Sequence, residues 1–485
     1  MNKFDFSNIK SKLQLLTKED IEKIHSSAIK ILEKTGIMFD NKEALKIFNE
    51  NGFDVNFEKK IVKINEEAIK EAIIKAPSKI IIYDRNGKEC LFLEENNVYY
   101  NPGSAAINIL DIETNNIRKP TSKDLEKFSI LVDSLSYIHA QSTALIVSDV
   151  PKIISDRYRL YIILKNAIKP IITGAFTIDG LHDMVKMLNV ITDGKVHEKP
   201  IAIFDVCPSP PLMWSEITSQ NLIDCAKYMV PAEIVPMPLS GATSPVTLTG
   251  TIVQHTAEAL SGIVLSQIVN PKAPIIYGGS PAIFDMRYGT TPMGAIETIM
   301  IDCSYSLIGK YYGLPTHAYL GLSDSKIVDI QAGFESSIGI ILGALTGINV
   351  ISGPGMIDFE SCQSMEKLVI DNEVCGMALR LIKGINVIED SLAIELIEKI
   401  GPGGQFLTSK HTLKWFKKEL FIPSEIIDRL ERKAWIEKNQ KDCIQRAKEI
   451  VRKILEENKP KILEPEKEEE LNRIIKNSIK RYEDK

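Results

Sequence analysis

Between residues 98 and 355 the chain alternates two kinds of segment about eight times. Short apolar runs ending in Gly, Pro, Ser or Asn give way to helix-length stretches with one apolar face. Runs such as "PIITGAF", "PIAIFDVCPSP" and "PIIYGGS" are apolar at nearly every position, as parallel strands buried on both faces are. The pattern predicts strands at 98–103, 138–147, 170–176, 200–207, 233–241, 274–279, 316–321 and 349–355. A strand-then-helix alternation of this length predicts an α/β fold, a (β/α)8 TIM barrel. Such barrels place their chemistry immediately after the strands, at the C-terminal ends.

Residues 1–95 read as an N-terminal α/β cap, 96–385 as the barrel and 386–485 as a C-terminal helical extension. In "TKEDIEKIHSSAIKILEKTG", Thr17 is the expected N-cap and Gly36 the stop, for the reasons usual at helix ends. "NKEALKIFNENG" predicts a second helix and "KIIIYD" a short strand. Ser122 and Thr249 are the expected caps of two barrel helices. The ending "EPEKEEELNRIIKNSIKRYEDK" is charged enough to favour a solvated helix over a partner-contacting one. Residues 336–357 carry no charge, but their glycines and Pro354 break the run. It is expected to be a helix end running into a buried strand rather than a membrane span.

Composition narrows the function. A net charge of −5 gives no electrostatic reason to expect nucleic acid or an anionic membrane. The opening "MNKFDFSNIKSK" has no apolar core of the kind a signal peptide needs. Seven cysteines with no CxxC pair suit reduced thiols, and the expected location is cytoplasmic.

The predicted strand ends hold Tyr99, Tyr100 and Asn101; Phe204, Asp205, Cys207 and Trp214; Tyr277, Phe284, Asp285, Arg287 and Tyr288; His317, Tyr319, Ser323, Asp324 and Lys326; and Gly355, Asp358 and Glu360. Any one aromatic at a strand end is more often core or rim than ligand-binding. Several together, with few basic groups, suit a cation held against ring faces. No HxH, HxC or HExxH occurs, and a zinc site from His317, Cys207 and Cys303 is disfavoured, so no metal is expected. "GPGGQF" at Gly401 lacks the Lys-Ser/Thr of a phosphate loop and reads as a tight turn. There is no GxSxG elbow and no dinucleotide fingerprint.

Four segments together carry a resemblance: "NILDIETNNIRKPTSKDLEKFSILVDSL", "GLSDSKIVDIQAGFES", "GPGGQFLTSKHTLKWF" and "IPSEIIDRLERKAWIEK". Over nearly its whole length the chain resembles the trimethylamine methyltransferase (MttB) superfamily, in its branch without pyrrolysine. The resemblance implies a TIM barrel that moves a methyl group from a methylated amine to the cobalt of a separate corrinoid protein. In the pyrrolysine-bearing branch that residue lies near the segment matching Gly321 to Asp324, where this chain has ordinary residues. The resemblance therefore implies a quaternary amine, with glycine betaine favoured, and no tightly bound cofactor beyond the cobalamin of the cognate corrinoid protein. It also implies a homo-oligomer, with no nucleic-acid or membrane partner.

The chemistry agrees with that division. A quaternary ammonium has no lone pair to protonate and departs as a neutral tertiary amine once a methyl is taken. The protein has to hold the cation, aim one methyl and exclude water. Tyr100, Phe204, Tyr277 and Tyr319, with Tyr99 beside them, are the expected aromatic faces. His317, Asn101, His411 and the turn at Gly355 are the expected donors to a carboxylate. No catalytic residue is identified. Two other readings stay open: a lyase using Lys326 as a Schiff base, and a non-catalytic betaine-binding barrel.

Overall fold

The computed structural model describes residues 12–483. Eight short strands follow one another: β1 (Tyr99–Asn101), β2 (Gln141–Ser142), β3 (Ile171–Thr173) and β4 (Ala202–Val206), then β5 (Ala232–Ile234), β6 (Ile275–Tyr277), β7 (His317–Ala318) and β8 (Val350–Ser352). A helix follows each strand. These are α1 (Ser122–Ser134), α2 (Ser155–Asn166), α3 (Ile178–Ile191) and α4 (Glu216–Tyr228). The second half carries α5 (Leu248–Val269), α6 (Ile296–Tyr311), α7 (Ile330–Thr346) and α8 (Met365–Ile382).

Strands β2 to β6 pair in parallel in chain order. β7 pairs with β8, and β8 with β1, also in parallel. A parallel bridge between Tyr277 and Thr316 joins the two runs. On the far side the His139 N–H donates to the Tyr100 carbonyl at 2.7 Å, and Ala106 bridges Leu145.

The predicted strand at 233–241 is split. β5 stops at Ile234, and Leu239–Ser240 is a separate strand paired with Ala282–Ile283. Pro236 and Pro238 intervene, and neither has an N–H to give a ladder. Two caps fall earlier than expected. α1 is capped by Thr121, whose hydroxyl and N–H both donate to Asp124. α5 is capped by Thr247, which accepts from the Gly250 N–H. Each cap lies beside the residue expected from sequence because Ser and Thr are dense there. Thr17 caps Lys18–Lys34 with a reciprocal capping box, as expected.

The N-terminal helices Lys18–Lys34 and Glu66–Lys75 pack on α5. The hairpin Ile80–Tyr83 with Glu89–Leu93 lies against the N-terminal ends of the strands. Its Ile80, Ile82, Leu91 and Leu93 form one apolar cluster with Ala140, Ile172, Ile203, Ile276 and Val350. That cluster fills one end of the strand interior with hydrocarbon and leaves the other end for polar groups.

The C-terminal helices also differ from expectation. Cys443–Glu457 packs on α8 and α1, and Pro465–Glu483 on α3 and α2. The last helix buries Leu471, Ile474 and Ile475, a helical i, i+3, i+4 stripe within the charged sequence. Its charges pair with the barrel helices, Glu468 with Lys165 at 2.6 Å and Arg481 with Asp183 at 3.2 Å. Among the described residues no helix is long and apolar enough to cross a membrane.

Ile82 is fully buried in the hairpin cluster, whereas Ile74 on the neighbouring helix is 62% exposed. Ile82→Ala should lower stability by about 2–4 kcal/mol through the cavity it leaves. Ile74→Ala should leave the melting temperature within error of the parent, and thermal denaturation of the two variants compares them directly.

Candidate active site

Side chains alternate between two faces along a strand. In β4, Ile203 belongs to the interior cluster, so Asp205 shares its face, while Phe204 joins the core between strands and helices. Register carries that face to the next strand, where Glu233 of β5 lies opposite Asp205. Gly278 leaves room for it, since a Cβ there would stand 2.9 Å from Glu233 Cγ.

Above the apolar cluster the interior therefore turns polar. Glu233 Oε1 meets His317 Nδ1, and both side chains are fully buried. His317 Nε2 lies 2.9 Å from Ser352 Oγ, which donates to Asn101 Oδ1 at 2.8 Å. Burial raises the Glu233 carboxyl and lowers the His317 imidazole to about 4. The pair is thus held neutral, with Glu233 donating to Nδ1 and Nε2–H donating to Ser352. The Tyr319 hydroxyl donates to Asp205 Oδ2 at 3.2 Å, and its ring stands edge-on to His317 at 4.9 Å.

A cavity of about 660 Å³ opens beyond this polar layer. Arg159, Phe176, Asp205, Tyr319, Phe359 and Glu360 supply its chemistry. Arg159 comes from α2, Phe176 from the turn after β3, and Phe359 and Glu360 from the loop after β8. Asp358, Phe359 and Glu360 have φ of 55°, 54° and 68°. Three successive non-glycine residues in the left-handed region are costly and mark a tightly constrained turn. The turn is held by the Asp358 N–H donating to the Ser325 carbonyl at 2.8 Å. Lys326 Nζ adds a contact 3.8 Å from the centre of the Phe359 ring.

Burial, and then Glu233, raise Asp205 well above the usual carboxylate range. Burial and then Asp205 push Glu360 up to about 8. Among the described residues Asp205 Oδ1 has no hydrogen-bond partner. Two carboxyls that burial shifts toward the protonated form thus stand beside three aromatic rings in one cavity.

Of the nine residues expected to bind substrate, Tyr319 lines the cavity and the other eight do not. Tyr100, Phe204 and Tyr277 point to the opposite strand face. The Tyr100 hydroxyl donates to the Ile340 carbonyl on α7, the Tyr277 hydroxyl to Thr256 on α5, and Phe204 is fully buried in the core. Tyr99 lies at the hairpin end, its hydroxyl accepting from the Phe92 N–H. Asn101 and His317 are spent in the interior network.

Gly355 is a turn glycine with φ 89°, and its N–H already donates to Asp371. His411 sits on the C-terminal helix Lys410–Glu419 beside the Asp390 carbonyl. Sequence reasoning missed Arg159, Phe176, Phe359 and Glu233. The one sequence signal for Arg159 was a charged residue inside the apolar run "YRLYIIL".

The sequence profile of a family described as trimethylamine methyltransferase (MTTB) matches residues 4–482. The chain is 33% identical to the trimethylamine methyltransferase MttB of Desulfitobacterium hafniense (strain DSM 10664 / DCB-2), over 93% of this chain and 90% of the relative. It is also 33% identical to the glycine betaine methyltransferase of Desulfitobacterium hafniense (strain Y51), over 96% and 97%. Among solved structures, the Methanosarcina barkeri monomethylamine methyltransferase (MtmB) superimposes with a TM-score of 0.52 at 12% identity, over 93% of this chain and 89% of that one. Fold, site and relatives together define a methyltransferase of methylated amines on a TIM-barrel-type scaffold. The chain belongs to the trimethylamine methyltransferase family.

The raised Glu360 sets a pH dependence. Below about 8 the free site holds this carboxyl protonated, and a bound cation must expel the proton. Affinity for tetramethylammonium should therefore rise with pH, by no more than about tenfold per pH unit for one proton, and level off above 8. In Glu360→Gln that inflection should disappear, as calorimetric titrations across pH 6–9 will read.

Proposed function

We propose that this protein transfers a methyl group from a quaternary amine, glycine betaine foremost, to the Co(I) of a corrinoid carried by a separate protein. One observation carries the reading: two carboxylates, Asp205 and Glu360, and three rings, Phe176, Tyr319 and Phe359, line one cavity. Carboxylates and ring faces are what a permanent cation selects. Cobalt attacks the methyl carbon, the C–N electron pair stays on nitrogen, and a neutral tertiary amine leaves. The protein's residues hold the cation, orient one methyl outward and keep water from it.

The lip of the cavity supports docking of a large, flat acceptor. Ile107, Phe176, Ile217 and Met237 are each 40–46% exposed there, an unusual share of apolar surface around a polar site. The ordinary residues at 321–324 support a substrate other than trimethylamine. Ser323 Oγ is tied to Glu335 at 2.5 Å, and Asp324 Oδ1 accepts from the Met293 N–H at 2.8 Å. The Schiff-base alternative loses support, because Lys326 is exposed on a loop and donates to the Asp324 carbonyl.

The reading includes eight strands closed into a barrel, supported by the Tyr100–His139 hydrogen bond across the remaining gap. It keeps the division into 1–95, 96–385 and 386–485. A cytoplasmic site of action is supported by seven free cysteines. Self-association is supported by the segment after α8. Helices Glu389–Leu392, Ile394–Ile400, Lys410–Glu419 and Arg432–Glu437 bury none of their residues, and Leu407 and Leu413 are 73% and 83% exposed.

Two measurements test this. With a reduced corrinoid protein and glycine betaine, the enzyme should form methyl-Co(III) and dimethylglycine, at a rate that saturates in corrinoid protein. Trimethylamine should give no turnover. Robust trimethylamine demethylation overturns the substrate assignment, and silence on every quaternary amine overturns the reaction. Light scattering should give a multiple of the 54.2 kDa chain mass, reduced to one chain by Leu407→Asp with Leu413→Asp.

A further inference from the structure

We infer that Arg159 is the carboxylate anchor of the cavity, so that the enzyme selects zwitterionic quaternary amines over simple ammonium cations. The inference rests on the quaternary-amine reading above and adds to it the residue that decides between two kinds of quaternary amine.

Two arginines stand two positions apart on α2 and meet opposite fates. Arg157 is ion-paired: its Nε, which has no hydrogen bond among the described residues, lies 3.6 Å from both Asp156 and Asp183, and its Nη2 donates to Thr177 Oγ1 at 2.7 Å. Arg159 is 1% exposed. Among the described residues no carboxylate oxygen comes within 4.0 Å of its guanidinium. One hydrogen bond, from Nη1 to the Thr143 carbonyl at 2.7 Å, holds it in place, and the Phe176 ring lies 4.6 Å from its centre. Among the described residues its buried Nε has no hydrogen-bond partner.

A guanidinium taken out of water without a counter-ion is among the costlier arrangements a fold keeps. Among the described residues Arg159 is also the one basic side chain lining the cavity. Asp156 and then Asp205 are near enough to favour its charge, but among the described residues neither forms an ion pair with it. Guanidinium groups match carboxylates in a planar, two-pronged fashion that no neutral donor reproduces. A betaine carries its carboxylate one methylene from the ammonium. With the carboxylate on Arg159, the same cavity offers the trimethylammonium Phe176, Tyr319, Asp205 and Glu360. A simple cation brings no anion and meets a like charge at the Arg159 end.

Calorimetric binding of glycine betaine and of choline, which carries a hydroxymethyl group in place of the carboxylate, tests this on wild type, Arg159→Gln and Arg159→Lys. Wild type should prefer glycine betaine by tenfold or more. Arg159→Gln should lose at least tenfold on glycine betaine and hold or improve choline, and Arg159→Lys should recover part of the loss. Arg159→Gln binding glycine betaine as wild type does overturns the anchor. So does equal loss of both ligands, which marks Arg159 as structural. Equal wild-type affinity for the two ligands overturns it even where the variant fails to fold, and leaves the quaternary-amine reading standing. Wild type binding neither ligand brings down the quaternary-amine reading and this inference with it.

Discussion

Eight short strands turn successive side chains to opposite faces, and this two-residue period decides which groups meet in the interior. On β4 it sends Ile203 and Asp205 inward and Phe204 outward. Parallel register copies the choice to neighbours, so Glu233 joins Asp205 and the interior face of β7 brings His317 and Tyr319. A slip of one residue on β4 or β5 exchanges an acid for a hydrocarbon. The apolar cluster under the hairpin 80–93 guards against that slip, because Ile172, Ile203, Ile276 and Val350 have partners on one face alone.

The site is maintained against several costs. Asp358, Phe359 and Glu360 lie in the left-handed region, at about 1–3 kcal/mol each. Glu233, His317 and Arg159 are withdrawn from water, and burying an ion carries a penalty of several kcal/mol. Protonation relieves part of this, since burial keeps Glu233 and His317 neutral and raises Asp205 and Glu360. The scaffold around the site is ordinary and well filled, with α5 wrapped by the N-terminal helices and the last helix seated on α2 and α3.

The relatives divide between a trimethylamine and a glycine betaine methyltransferase at the same 33% identity, so overall likeness does not choose a substrate. The proposed substrate choice rests instead on the cavity, whose two carboxylates suit any methylated ammonium and whose Arg159 guanidinium, without an ion pair among the described residues, suits a ligand with an acid group of its own.

The strand–helix cadence, the positions of the strands and the resemblance of the chain to its family were all legible in the amino-acid order. Those features are local and repeated: an apolar run, a turn, a capped amphipathic helix. The cap of Lys18–Lys34 at Thr17 and the split of 336–357 into helix and strand follow from the same local rules. Which aromatics face the ligand was not legible. Strands buried on both faces are apolar at every position, so the sequence carries no alternation to tell Tyr100, Phe204 and Tyr277 from residues that face the interior. Arg159 and Phe359 reach the cavity from a helix and from a left-handed turn, by contacts with chain far away in sequence. The sequence alone determined the scaffold, through periodicity and turn chemistry. Strand parity and long-range packing, which exist once the sheet is assembled, decided which side chains share its cavity.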